Sequence, residues 1–170
     1  RQVGEGRGQH DVEMGRLGQR PVGVGGHEVQ CRLQLSRPQC PAALDVVVQE
    51  NTEANLDKMP VFKESAGLCL PKRAVKDRMT IGGGADRIDL YYFGRGHTNG
   101  DTWVVFPALR AMHAGDIFSG KNIPILDGFN GGSGIEMPKT LKKAADYATK
   151  AHIEAIITGH STQMTVDDLR

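Results

Sequence analysis

The chain has 170 residues, enough for one domain with a hydrophobic core and too few for two comfortable ones. Its 21 basic and 20 acidic side chains nearly cancel, so no global field draws it to nucleic acid or an anionic membrane, and a small molecule is the expected partner. No apolar run approaches the ~20 residues that span a bilayer, no secretory signal pattern is visible, and the odd set Cys31, Cys40 and Cys69 lacks CxxC spacing, so neither a disulfide framework nor a thiolate zinc site is indicated.

Residues 1–44 stand apart in composition. From Asp45 to Arg170 the seven types Phe, Ile, Lys, Asn, Thr, Trp and Tyr supply 41 of 126 residues, and among the first 44 they supply none. The opening stretch repeats Gly, Arg, Gln and Val without a period of 2 or 3.6, and it has little apolar surface to offset the entropy of ordering. Two readings stand: a flexible or disordered extension, or a segment read in a wrong frame or from the opposite strand of a GC-rich gene, since most of the missing types need A/T-rich codons. The folded domain is expected over residues 45–170.

There the pattern is that of an α/β domain. "DVVVQ" at Asp45–Gln49 predicts a short buried strand, and "ENTEANLDKM" at Glu50–Met59 a helix capped by Asn51 or Thr52 and stopped by Pro60. "AVKDRMTI", "GGGAD" and "RIDLYYF" predict a hairpin of two strands, the second with Ile88, Leu90 and Tyr92 on one face. "DTWVVF" and "RAMHAG" predict a further strand pair bent at Pro107, with Trp103 in the core. "PKTLKKAADYATKA" at Pro138–Ala151 brings Leu141, Ala144, Ala145 and Ala148 to one helical face, "IEAIIT" predicts a buried strand, and "VDDLR" opens a last helix.

Three stretches put a metal-capable side chain just past a strand and beside a glycine: His97 in "GRGHTNGD", Asp116 in "HAGDIF" and His160 in "IITGHS". Singly, each has an ordinary explanation as a solvated loop histidine or a turn aspartate. Together His, Asp and His make a set that suits zinc, at the strand-to-loop position where α/β sheets build sites. Thr98 and Asp101 either orient His97 or close a local T-N-G-D turn, and the turn is the favoured reading. His113, on a strand face, and Ser161, in a loop, are read as structural. The glycine runs "GGGAD" and "NGGSG" match neither GxxxxGK[ST] nor GxGxxG and are read as turns, which disfavours a nucleotide-binding module.

The run "YYFGRGHTNGDTWVVFPALRAMHAGDIF", followed 44 residues after Asp116 by His160, resembles the later metal motifs of the metallo-β-lactamase superfamily over roughly Asp45–Arg170. The resemblance implies an α/β fold, an αββα sandwich incomplete at its N-terminus, with up to two Zn2+ at the sheet edges. It implies that His97 ligates the first zinc, that Asp116 bridges the two or binds the second, and that His160 binds the second. The implied activity is zinc-dependent hydrolysis, in which metal-activated water attacks a lactam, ester, thioester or phosphoester and Asp116 serves catalysis through its hold on the metal. The family's upstream HxHxDH motif is missing; upstream stand only His10 with Asp11, and His27 with Glu28. Fewer and weakly held zinc ions and impaired hydrolysis are therefore expected, the alternative being a non-catalytic fragment or pseudoenzyme with vestigial ligands. The chain reads as soluble, with compartment and oligomeric state open.

Overall fold

The computed structural model describes residues 45–64 and 70–170; the composition boundary after residue 44, the three cysteines, and His10, Asp11, His27 and Glu28 lie outside them. Strand β1 (Val47–Gln49) pairs in parallel with β2 (Arg73–Val75), and a parallel pair needs a long crossover, which here contains the helices α1 (Glu50–Leu56) and α2 (Pro60–Glu64). Helix α1 ends at Leu56, short of the expected Met59, and Pro60 opens the second helix, where its missing amide proton is not needed. The cap of α1 is Gln49, whose side chain accepts a 2.6 Å hydrogen bond from the Asn51 amide, and not Asn51 or Thr52 as expected. Those two side chains are engaged across the fold instead. Asn51 Nδ2 donates to the Asn99 carbonyl at 2.8 Å and the Thr52 hydroxyl to the Gly100 carbonyl at 2.9 Å.

The second sheet has the order β3 (Arg78–Ile81), β4 (Ile88–Tyr91), β5 (Trp103–Phe106), β6 (Ala111–Gly115) and β7 (Ala155–Thr158). Its first three pairings are antiparallel and the last is parallel. "AVKDRMTI" is not one strand: it divides at Lys76 and Asp77, with β2 in the small sheet and β3 in the large one. The division is held by Gln49 Nε2 donating to the Lys76 carbonyl at 3.3 Å and the Tyr92 amide donating to the Asp77 carbonyl at 2.9 Å. In β4 Leu90 is buried as expected, Tyr92 falls beyond the strand end, and Asp89 is buried on the opposite face. Pro107 opens a single 3₁₀ turn that connects β5 to β6, which keeps its ring out of the ladder.

Helix α3 (Met137–Lys150) supplies the crossover that the parallel β6–β7 pair requires. Ala144 and Ala148 are fully buried against Trp103, Val105, Met112 and Ile156, and their small side chains allow the helix to lie close on the sheet. Trp103 is fully buried, beside Phe93 in an edge-on contact, in line with its expected core role. The chain described here ends in α4 (Val166–Leu169), opened by a capping box between Thr165 and Asp168. Lys121, 2.5 Å away, and the Thr165 groups hold the Asp168 carboxyl low, at about 2. Thr165→Ala is expected to lower stability by about 1 kcal/mol in urea unfolding. Because the Asp168 carboxyl sits below its ordinary value, its contribution is present above pH ~4 and fades as pH falls toward 2. Among the described residues no helix is long and apolar enough to cross a membrane.

Candidate functional site

Strands β4 and β6 both run antiparallel to β5, and β7 runs parallel to β6, so the C-terminal ends of β4, β6 and β7 lie at the same edge of the sheet. That common direction brings together the three stretches that carry His97, Asp116 and His160. His97 enters from the loop after β4, Asp116 opens a 3₁₀ turn at the end of β6, and His160 follows β7 by two residues. Asp116 lies between the two rings. Its Oδ1 is 3.1 Å from His160 Nε2 and its Oδ2 is 4.0 Å from His97 Nε2.

The backbone at β6 explains how Asp116 reaches that position. The β6–β7 register shifts between His113 and Gly115, and Gly115 adopts φ +56°, ψ −143°, a conformation that side-chain-bearing residues avoid. The Gly115 amide donates to His113 Nδ1 at 3.0 Å. Gly159 completes the approach: its amide donates to the Gly115 carbonyl at 2.9 Å, and a Cβ there would collide with Asp116 Oδ1 and the Gly115 backbone. Ser161 belongs to the turn, its amide donating to the Thr158 hydroxyl at 3.0 Å.

His97 is more enclosed than its partner histidine, with a side chain 18% exposed against 63% for His160. Two features hold its loop. The first is Asp101, which closes the local turn and also touches the ring. Its Oδ2 accepts from the Thr98 amide at 2.7 Å, and its Oδ1 accepts from the Thr98 hydroxyl at 2.8 Å and lies 3.3 Å from His97 Nδ1. The second is the segment from Asp127 to Ser133, which overlaps the "NGGSG" stretch read as a turn. It binds the backbone of the His97 loop through Asp127 N to His97 O at 2.9 Å, Asn99 N to Asn130 O at 2.9 Å and Ser133 N to Gly96 O at 2.8 Å. Hydrogen bonds from the side chain and backbone of Asn130 hold the Asp127 carboxyl below its ordinary range and fix that segment's own turn.

Nitrogen, oxygen and nitrogen donors converging on one carboxylate have the chemistry zinc prefers. Their arrangement suits a carboxylate shared between two histidines better than three donors surrounding one ion. Among the described residues, no group of three or more His, Cys, Asp or Glu side chains is placed to hold a metal ion. A cavity of about 830 Å³ lies along α3 and α4, lined by Ile123, Leu126, Met137, Leu141 and Leu169 among others, and none of the three site residues lines it.

Compared by sequence, the chain matches no protein-family model and no curated protein. Compared by structure, it is similar to the DIM-1 metallo-β-lactamase, with a TM-score of 0.57 and 17% identity over 74% of this chain and 54% of that one. A metallo-β-lactamase from Pontibacter korlensis is similar with a TM-score of 0.58 and 17% identity, over the same shares. The VMB-1 structure gives a TM-score of 0.54 and 15% identity over 72% of this chain and 52% of that chain. The chain thus spans about half the length of the solved structures it matches. The mixed α/β domain described here has a partial metallo-β-lactamase fold.

Proposed function

We propose that this domain carries part of the metal centre of a zinc-dependent hydrolase, with His97, Asp116 and His160 as its ligands. One observation carries the reading: the two oxygens of Asp116 face Nε2 of different histidines, 4.0 and 3.1 Å away, at one edge of a metallo-β-lactamase-like sheet. Zinc bound there would lower the pKa of water toward neutrality and polarise the bond to be broken. The chain's own residues do the positioning. The Gly115 conformation aims the Asp116 carboxylate, Gly159 leaves room for it, and the Asp101 carboxylate and the Asp127–Ser133 segment hold the His97 loop. Lactams, esters, thioesters and phosphoesters are the substrate classes to which such an electrophile applies.

A second reading, a non-catalytic chain with vestigial ligands, is favoured because no group of three or more His, Cys, Asp or Glu side chains among the described residues is placed to hold a metal ion. Elemental analysis after zinc loading and dialysis, with hydrolysis of nitrocefin and a generic ester with and without chelator, separates the two. The hydrolase reading expects zinc below two-ion loading and a slow, chelator-sensitive rate. No retained zinc together with no chelator-sensitive turnover would leave the second reading.

A further inference from the structure

We propose that Asp101 is a positioning residue for His97, holding the ring in the tautomer that carries its proton on Nδ1 and leaves Nε2 bare toward Asp116. The proposal rests on the reading of His97 as a ligand for its functional consequence, and on geometry alone for the tautomer.

A carboxylate only accepts hydrogen bonds, so the 3.3 Å contact between Asp101 Oδ1 and His97 Nδ1 requires the proton on Nδ1. In a neutral imidazole the other nitrogen then offers its lone pair. That nitrogen is the one 4.0 Å from Asp116 Oδ2. The carboxylate cannot readily swing aside, because the Thr98 amide holds one oxygen at 2.7 Å and the Thr98 hydroxyl the other at 2.8 Å. Water competes poorly for the contact, the side chains of Asp101 and His97 being only 11% and 18% exposed. Topology puts Asp101 there: β5 runs against β4 and β6, so the residues that precede β5 start from the edge at which β4 and β6 end. A single residue therefore closes the turn and orients the ring. A carboxylate behind a metal-binding histidine raises its basicity and fixes its direction, and losing such a partner weakens metal binding by about 10–100-fold.

Two-bond proton–nitrogen correlation spectra of the labelled full chain, recorded above the histidine titration range, read the His97 tautomer directly. The wild-type ring is expected to carry Nδ1–H. In Asp101→Asn one amide oxygen cannot serve both the Thr98 amide and the ring, so a mixture of tautomers is expected, with zinc affinity about 10–100-fold lower in chelator competition. Thr98→Val removes the hydroxyl from the same turn but keeps the carboxylate on the ring. It is expected to lower stability and to shift the tautomer and zinc affinity less than Asp101→Asn does, because the Thr98 amide still holds the carboxylate. A wild-type His97 protonated on Nε2, or an Asp101→Asn tautomer identical to wild type, overturns the proposal. If Asp101→Asn does not fold, the wild-type spectrum decides. If the wild type binds no zinc, the tautomer still decides, and the failure falls on the hydrolase reading alone.

Discussion

Removing the two arginines that face Asp89, in the double variant Arg78→Ala/Arg87→Ala, is expected to destabilise the fold at neutral pH and to reverse the pH dependence this carboxylate contributes. Asp89 sits in β4 with a side chain 2% exposed. Arg87 reaches it through Nη2 at 2.7 Å and Nε at 3.2 Å, Arg78 through Nη2 at 3.5 Å, and the Thr80 hydroxyl donates to it as well. Burial pushes the carboxyl pKa up, but hydrogen bonds from Arg87 and Thr80 and the charges of both arginines outweigh it and hold the group below its ordinary value. In the wild type this contribution is therefore present above pH ~4 and is lost as pH falls through the folded-state value. Without the arginines burial dominates, the folded-state pKa rises above the unfolded one, and the same group makes the fold more stable as pH falls. Asp89→Ala alone should cost much less, because both arginines are roughly half exposed and return to water. Arg78 also lies over the Tyr91 ring, 5.1 Å from its centre, so the arginine removal is repeated in the Asp89→Ala background to isolate the charge effect. Urea unfolding across acid pH measures all four proteins. An equal loss in both backgrounds, or an unchanged pH slope, would contradict the account.

How far the site was legible follows from what each residue signals locally. His97, Asp116 and His160 were visible because each follows an apolar strand and neighbours a glycine, and strand direction then does the rest: β4, β6 and β7 share a direction, so their ends share an edge. The alanine stripe of α3 was visible because helical period and burial coincide at Ala144, Ala145 and Ala148. The division of "AVKDRMTI" between two sheets was not, because membership of a sheet depends on partners far along the chain, here Val47–Gln49 for one half and Ile88–Tyr91 for the other. The Gln49 cap was missed for a related reason: Asn51 and Thr52 have the better intrinsic capping chemistry, but tertiary contacts with Asn99 and Gly100 claim them. The Asp127–Ser133 segment acts on the His97 loop through backbone groups, and these leave no residue-type signature.

Asp116→Ala is expected to lower any chelator-sensitive hydrolysis by more than about a hundredfold while leaving the fold intact. Loss of a group that only supports a ligand already weakens metal binding about 10–100-fold, and Asp116 faces both histidines, so its removal should exceed that range. Its side chain is 41% exposed and outside the hydrophobic core, so unfolding should shift by no more than about 0.5 kcal/mol. Asp116→Asn keeps the shape and removes the charge. A metal-holding role predicts a loss close to that of alanine, whereas a packing role predicts near-normal behaviour. Gly159→Ala tests the same centre from the opposite side, since the added Cβ would meet Asp116 Oδ1 and the Gly115 carbonyl and must displace the carboxylate. Zinc content and chelator-sensitive rate should fall together in all three variants. Turnover that survives Asp116→Ala and ignores chelators would mean that hydrolysis arises somewhere other than the edge where β4, β6 and β7 end.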